Sequence, residues 1–492
     1  MSYFIDLFKK IVFPIEKKEL SLFFRLALLL FCILFNFSCL RSLKDSLVIP
    51  LIGAEAISFL KLWLVLPSAV IFTILYVKLS NIFNLEQLFS MIVCLFVMFF
   101  VLFAFFIYPN QDFYHMAAAD INLLSLKFPH IKWFIRLWGK WSYVLVYILS
   151  ELWGAMVINL MFWQFTNHIF KSSQAQRMYP IIGMFGSVGL IFSGNLLVLF
   201  SQITNLSPSI IDLLSNNRDE IEITIKLIIG VVSVASVVSI VLFYDIAKLS
   251  LGSINVVVLD TKTALGVRES LRLIIQSKYI FYIFMLVISY GLTINILEGP
   301  WKAKLSQLYT NPCDYIKFMG QFNIWMGVSS VVMTIIGGNV LRNCGWLVSA
   351  YITPIMITIT GSLFFVFVIF GHKIPGGFDP IYIAVIIGAA QNILIKSSKY
   401  SLFDSTKEMS YIPLSVELKS KGKAAIEVIG SKLGKSLGAF LQFVAFTIVP
   451  DLDFDNMSIF LMIVFIIITM VWLIDINKLS KEYNRLNNAQ NL

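Results

Sequence analysis

Four charged side chains lie within or at the ends of long apolar segments: Lys61, Glu151, Glu298 and Lys435. Placing an ionisable group in hydrocarbon costs at least about 2.5–3.5 kcal/mol, and a chain with 58% hydrophobic residues could carry leucine at each of these positions. Two cations and two anions that face a protein interior can bind an anion with several charges and release it again. We therefore predict that these four residues bind such a ligand.

The depth of each charge separates strong candidates from weaker ones. Glu151 lies about 15 Å from either end of its apolar segment, and Lys435 lies about 18 Å along its own, so neither can reach the membrane surface. The structural alternatives are a protonated or locally paired Glu151, and a Lys435 that pairs with an acid such as Glu427. Lys61 and Glu298 lie nearer the ends of their segments, and depth alone leaves a functional and a structural role equally supported.

Further cations form a secondary group. Lys432 precedes Lys435 by three residues and shares roughly its helix face. Other positions that could draw anions toward the mouths of a cavity are Arg41, Lys44, Lys396 and Lys399, although ordinary interfacial cations explain each of them equally well. Gly299 and Pro300 follow Glu298 and predict a helix break, which would leave backbone groups free for a ligand.

Apolar runs of about twenty residues position these charges. Only 13% of the 492 residues are charged, against roughly 25% in soluble domains. Twelve such runs, centred near residues 31, 68, 98, 153, 190, 233, 288, 329, 358, 388, 437 and 467, are each long enough to cross a bilayer as a helix. The sequence therefore predicts an all-α polytopic membrane protein with twelve transmembrane helices.

The longest charged break falls at residues 245–278, where 264–276 predicts a short surface helix. It divides the chain into an N-terminal six-helix half, 1–244, and a C-terminal half, 279–492, joined by a central cytoplasmic loop, which is the organisation of a major-facilitator-like transporter. Small residues predict close helix packing around Gly186 and Gly189 and around Gly430, Gly434 and Gly438.

Charge distribution predicts the orientation. Lys and Arg are roughly twice as frequent in the tails and even-numbered loops as in the odd-numbered ones, which places both termini in the cytoplasm. The same bias accounts for the net charge of +10, so we expect no nucleic-acid partner. The loop 109–140 departs from this charge bias. It is predicted to lie outside the cytoplasm, yet it carries Lys127, Lys132, Arg136 and Lys140. Residues 1–19 lack the features of a cleavable signal.

Several kinds of chemistry have no support. The stretch Gly430–Ser436 resembles a phosphate-binding loop but is one residue short and lies in an apolar helix. The four histidines are unclustered loop residues and the five cysteines are scattered, so we expect no metal and no cofactor. No nucleophile, base and orienting acid can be assembled, and we expect no enzyme activity.

The phrases around the charges resemble the nucleotide transporter (ATP/ADP translocase) family of rickettsiae, chlamydiae and plastids, with rickettsial members most similar. They are Ile57–Trp63, "SELWGAMVINLMFWQFTN" around Glu151, "YGLTINILEGPWK" around Glu298, "QNILIKSSKYSLFDSTKEMSYIPL" and "KGKAAIEVIGSKLGKSLGA" around Lys435. The resemblance covers nearly the whole chain. It implies that Lys61, Glu151, Glu298 and Lys435 are the charges tied to transport.

The resemblance further implies an alternating-access antiporter of the bacterial inner membrane, with nucleoside di- and triphosphates and membrane lipid as partners. We expect a monomer. In one form of this function the protein exchanges host ATP for bacterial ADP. In the alternative form it imports GTP/GDP, CTP or UTP as precursors. Alternatives of a different class are a membrane-embedded phosphotransferase and a lipid flippase or receptor of the same architecture. The sequence indicates no residue that selects the base.

Overall fold

Long apolar runs form helices here because only a helix satisfies its own backbone hydrogen bonds within lipid. The computed structural model describes residues 15–490 except 17, 171, 203–210, 213, 215–218, 251–271, 273, 374–378, 415–421, 424–425 and 427–429. For residues 168, 172, 173, 175, 176, 250, 400, 431, 432, 435 and 487–490 it describes the backbone but not the side chain. Within these residues the regular structure is helical throughout.

Twelve helices cross the bundle in the described part of the chain. They are α1 (Leu20–Val48), α2 (Ala56–Ser80), α3 (Leu85–Ile107), α4 (Trp141–Asn167), α5 (Ser172–Phe200), α6 (Glu220–Ser250), α7 (Lys278–Leu308), α8 (312–344), α9 (346–370), α10 (Pro380–Ser410), α11 (Ser431–Ile448) and α12 (Phe454–Gln490). The all-helical, polytopic organisation predicted from the sequence is confirmed.

Helices α8 and α9 run on without a loop. Gly345 separates them with a φ of 78° and a ψ of 179°. A side chain rarely adopts this left-handed backbone, and glycine adopts it without steric cost. The chain therefore reverses direction at one residue, where most of the other connections use several.

Contacts between α1–α6 and α7–α12 run from the middle of the bundle to one end, which we call the hairpin end. Short helices between α3 and α4 lie there: Gln111–Tyr114, Ala118–Lys127 and Lys132–Gly139. His130 Nδ1 lies 2.9 Å from the carbonyl of Thr447, and Lys132 donates to the carbonyl of Pro450. Deeper in the bundle, the ring of Phe443 lies 4.9 Å from that of Phe59.

Glycines bring several helices close together, as the small-residue pattern predicts. A side chain at Gly434 of α11 would come within 3.0 Å of the Ile288 carbonyl on α7. A side chain at Gly189 of α5 would come within 2.7 Å of the Phe31 carbonyl on α1. Because these neighbours are backbone atoms, only glycine permits the approach.

The predicted break at Gly299 and Pro300 is wrong: α7 continues as a helix from Lys278 to Leu308. A proline within a membrane helix is tolerated where neighbouring helices hold the segment. Here the Phe454 ring of α12 lies against Gly299, and Trp301 donates its indole N–H to the carbonyl of Val385 at 3.0 Å. The predicted surface helix 264–276 lies mostly outside the described residues.

Apolar side chains cover much of the outside of the bundle. Ile71, Val234 and Trp325 are each more than half exposed in the middle of long helices. Large exposed apolar surfaces of this kind are expected where lipid, rather than water, is the surrounding solvent. The chain is a multi-pass membrane protein.

Candidate functional site

Glu298 lies among four cations in the middle of the bundle. Its carboxylate is 3.1 Å from Arg41 Nη2, 3.2 Å from Lys61 Nζ, 3.4 Å from Lys396 Nζ and 3.7 Å from Lys302 Nζ. Arg41 and Lys61 belong to the first six helices, and Lys302 and Lys396 belong to the last six. One carboxylate therefore holds cations from both halves of the chain.

A second group of charges continues from the first through Lys302. Its Nζ is 3.0 Å from Asp45 Oδ2, while Asp45 Oδ1 accepts from Lys44 at 2.8 Å. Lys44 also reaches Glu151 at 2.9 Å, and its Nζ lies 3.8 Å from the centre of the Tyr147 ring. The ionic contacts thus form one continuous network from Glu151 to Lys396.

This network, which we call the ionic cluster, has an excess of positive charge. Among the described side chains, its five cations are Arg41, Lys44, Lys61, Lys302 and Lys396, and its three anions are Asp45, Glu151 and Glu298. Five minus three leaves a formal charge of +2. Buried charges are stable only when they are paired, so the unbalanced positive charge is a ready partner for an anion.

The ionic cluster is not uniformly buried. The side chains of Lys44, Asp45 and Lys302 are 3% exposed or less, whereas those of Lys61 and Glu151 are 25% and 34% exposed. A charge deep in a membrane bundle faces a watery cavity or other protein groups, because lipid cannot solvate it. Lys61 and Glu151 are therefore more accessible than the Lys44, Asp45 and Lys302 side chains of the cluster.

Local helix geometry positions several of these groups. Lys61 lies in the π-helical stretch Leu60–Val65, which interrupts the α-helical hydrogen-bond pattern of α2. Such stretches often occur at functional sites. Besides Glu298, the Lys61 ammonium donates to Asn295 Oδ1 at 3.1 Å, and Asn295 lies one turn before Glu298 on α7.

The structure brings together two of the four principal candidates, Lys61 and Glu298, and connects Glu151 to them through Lys44, Asp45 and Lys302. Three of the secondary candidates, Arg41, Lys44 and Lys396, lie inside the ionic cluster rather than at the mouth of a cavity. Lys399 is separate from the cluster and pairs with Asp404 at 2.8 Å.

Two candidates cannot be placed in the site. Lys432 and Lys435 are residues of α11, but their side chains lie outside the described part of the chain, as does Glu427. Nearby described residues show where α11 itself runs: a side chain at Gly438 would meet Asn295 Cβ at 2.7 Å. The helix that carries Lys435 therefore passes directly beside the α7 residue that binds Lys61.

Asp45 and Lys302, which connect the two groups of charges, were not predicted from the sequence. Both lie near the ends of their apolar runs, where hydropathy gives no sign of burial. A usable signal was their spacing on one helix face: Arg41 and Asp45 are four residues apart on α1, and Glu298 and Lys302 are four apart on α7.

Twelve helices with a shared ionic cluster between two halves define a membrane transporter of the major-facilitator-like fold. Two solved structures have a similar fold. A bacterial homologue of the iron transporter ferroportin in its inward-facing state aligns with a TM-score of 0.61 at 12% identity, over 94% of this chain and 99% of the other. A mutant of the nucleoside transporter NupG aligns with a TM-score of 0.53 at 11% identity, over 92% of this chain and 99% of the other.

The chain belongs to the TLC ATP/ADP transporter family, whose model matches residues 2–483. It is 56% identical to "ADP,ATP carrier protein 3" of Rickettsia prowazekii (strain Madrid E), over 98% of both chains. It is 41% identical to "ADP,ATP carrier protein 4" of Rickettsia typhi, over 96% of this chain and 93% of that one. The predicted family is thereby confirmed, and the chain is a transporter rather than an enzyme.

Proposed function

We propose that this protein exchanges nucleoside di- and triphosphates across a bacterial inner membrane by alternating access. The observation that carries the proposal is the position of Glu298 among cations from both halves. A nucleoside di- or triphosphate carries about three to four negative charges and binds cations through charge-assisted hydrogen bonds. Its phosphates compete with Glu298 for Arg41, Lys61 and Lys396.

Substrate binding would rearrange the ionic cluster rather than fill an empty site. When phosphates bind Lys61 and Lys396, Glu298 loses two of its partners and keeps Lys302, one turn away on its own helix. The substrate then bridges α2 and α10, which belong to different halves. Because the ligand binds with different free energies to the two orientations of the halves, it can shift the equilibrium between them.

The contacts between the two halves at the hairpin end are consistent with alternating access. At the hairpin end the halves are joined by the contacts of His130 and Lys132 with α11 and by the Phe59–Phe443 ring contact. An alternating-access carrier opens one side while the other stays closed. We infer that the ligand reaches Lys61 and Glu151 from the opposite end.

The charge bias of the loops supports an orientation with both termini in the cytoplasm, which makes the hairpin end periplasmic. The names of the relatives favour ADP and ATP as the exchanged pair. The rival is uptake of GTP, CTP or UTP, and the described residues that surround the cluster do not distinguish the bases. We propose a monomer as the working unit, since each chain supplies both halves of the ionic cluster.

Counterflow in proteoliposomes tests the proposal. Liposomes loaded with unlabelled ATP are expected to accumulate labelled ADP, and a panel of ATP, ADP, GTP, CTP and UTP as competitors identifies the base. Failure of every member of the panel to exchange, with protein correctly folded and inserted, would contradict the proposed function.

One variant tests the role of Glu298. Glu298→Gln removes the internal competitor, so the apparent KM for nucleotide is expected to fall by about tenfold, equivalent to about 1.4 kcal/mol, while the maximal rate falls as well. Glu408→Gln is the matched control, because Glu408 pairs with Lys423 at 2.6 Å on the exposed surface. Equal kinetics for Glu298→Gln and the control would show that Glu298 does not compete with substrate.

A further inference from the structure

Two fully buried tyrosines lie beside the ionic cluster, one from each half of the chain. Tyr147 is on α4, one turn before Glu151, and the centre of its ring is 3.8 Å from Lys44 Nζ. Tyr315 is on α8. Both phenols are close enough to Asp45 to interact with it electrostatically, and Tyr315 interacts with Tyr147 in the same way. The two phenols therefore approach one buried carboxylate of α1, each from a different half.

Helix packing holds Tyr315 near Asp45. Asn323, two turns after Tyr315 on α8, donates to Ser42 Oγ of α1 at 3.0 Å. Asp45 follows Ser42 by three residues. Because α1 ends and every even-numbered helix begins at the hairpin end, Asp45 and Tyr315 lie on the same side of this contact. The contact joins the two halves and fixes the depth of Tyr315 relative to α1.

The two hydroxyls are buried without a hydrogen-bond partner among the described residues. Asp45 Oδ2 also accepts no hydrogen bond, although Lys302 Nζ lies 3.0 Å away. Burying a hydroxyl without a partner is unfavourable, and phenylalanine would fill the same space without this cost. Buried Tyr76, by contrast, donates to a glutamine of α4 at 2.9 Å. We therefore expect Tyr147 and Tyr315 to form their hydrogen bonds in another state of the transporter.

Nucleotide binding supplies such a state. Lys302 Nζ is shared, since it lies 3.0 Å from Asp45 and 3.7 Å from Glu298. When phosphates take Lys61 and Lys396 away from Glu298, that carboxylate attracts Lys302 more strongly, and Asp45 loses its cation from the second half. A buried carboxylate that loses a partner is destabilised. A phenol O–H can replace part of the loss, because hydrogen bonds to ionised acceptors are strong.

We propose that Tyr147 and Tyr315 are positioning residues for nucleotide exchange, and that their hydroxyls donate to Asp45 when Lys302 moves from Asp45 to Glu298. The inference rests on the proposed function and adds the step by which the nucleotide releases the Asp45–Lys302 link between the halves. Two neutral donors replace one cation only in part, and binding of the nucleotide supplies the rest of the free energy. The hydroxyls thus stabilise the nucleotide-bound state and not the empty one.

Tyrosine-to-phenylalanine variants of the full-length protein in detergent test the proposal. For Tyr147→Phe and Tyr315→Phe, the Tm without nucleotide is expected to equal or exceed that of the wild type, because no hydrogen bond is lost. The Kd for ADP, measured by titration calorimetry, is expected to rise about tenfold in each variant, the effect of one hydrogen bond to a charged group.

Tyr76→Phe is the matched control, because its hydroxyl is paired in this structure and lies outside the ionic cluster. It is expected to show the opposite pattern, with a lower Tm without nucleotide and an unchanged Kd for ADP. A purely structural role for Tyr147 or Tyr315 would give the pattern of this control, so the combination of Tm and Kd distinguishes the two roles.

Three results would overturn the inference. The first is an unchanged Kd for ADP in both variants when the wild type is active in counterflow, which would leave the proposed exchange intact. The second is a Tm without nucleotide that falls as far as in Tyr76→Phe, since the hydroxyls would then serve the empty state. The third is a wild type that neither exchanges nor binds any nucleotide of the counterflow panel, which would contradict the proposed function as well.

Discussion

The Nζ of Lys302 lies 3.0 Å from Asp45 Oδ2, and this ion pair joins α7 to α1 across the two halves of the chain. Both side chains are almost fully buried. Asp45 also binds Lys44, and Lys302 also approaches Glu298 at 3.7 Å. The pair therefore connects the part of the ionic cluster around Glu151 with the part around Glu298.

Removal of one partner is expected to be costly. Lys302→Met leaves Asp45 without its cation from the other half, and breaking a buried ion pair in this way typically costs about 3–5 kcal/mol. We expect a lower Tm in detergent and loss of nucleotide exchange. The double variant Asp45→Asn/Lys302→Met removes both charges and is expected to recover most of the Tm, with exchange still impaired because the link between the halves is gone.

Lys423→Met supplies the control for this experiment. Lys423 pairs with Glu408 at the surface, where both side chains are 45% exposed, and such pairs are worth less than about 1 kcal/mol. If Lys302→Met lowered Tm no more than Lys423→Met, or if the double variant were less stable than the single one, the Asp45–Lys302 pair would have no structural role.

Hydropathy alone predicted the membrane-spanning helices, because the length of an apolar run is set by bilayer thickness. It also selected Glu151, since a carboxylate ten residues from either end of a run needs a partner, a ligand or a proton. Asp45 and Lys302 gave no such signal. They lie a turn or two from the ends of their runs, where burial depends on what packs against them.

Partners in the ionic cluster could not be predicted for a different reason. Arg41 and Glu298 are 257 residues apart in the chain, and no local rule pairs side chains at that separation. The prediction of a helix break at Pro300 was wrong for a related reason. Intrinsic propensity ends a helix at proline in water, whereas the packing of Gly299 on Phe454 holds α7 together.

Close packing between the halves is expected to depend on Gly320. A side chain at this position of α8 would approach the Gly194 carbonyl of α5 within 2.8 Å and the Val198 amide nitrogen within 3.0 Å. These are backbone atoms, so Gly320→Ala must push α5 and α8 apart. Overpacking of this kind costs about 1–3 kcal/mol, and we expect a lower Tm and slower exchange because the hairpin end closes less well.

Gly338, on the same helix, provides the matched control. No atom lies within 4 Å of a side chain built there, and alanine favours a helix over glycine by about 0.5–1 kcal/mol. Gly338→Ala is therefore expected to leave Tm equal or slightly higher and exchange unchanged. Equal effects of the two substitutions would show that the α5–α8 contact does not limit stability or transport.

His115, in the connection between α3 and α4, is expected to make the stability of the folded protein depend on pH. Its Nε2 lies 2.7 Å from Ser142 Oγ, and the side chain is 8% exposed. Burial, together with the charge of Lys140, lowers the pKa of His115 from 6.5 to about 4, and Asp112 offsets part of this effect. The folded protein therefore holds the ring neutral at a pH where the unfolded chain already binds a proton.

Stability should consequently decrease as pH falls from about 6.5 toward 4, by about 1–3 kcal/mol from this group. The measurement is Tm in detergent between pH 7.5 and 4.5 for the wild type and for His115→Gln, whose amide can still bond Ser142 but does not titrate. We expect the wild type to lose Tm faster than the variant as the solution is acidified. Exposed His372→Gln controls for the removal of a histidine as such. Parallel profiles for the wild type and His115→Gln would show that protonation of His115 does not oppose folding.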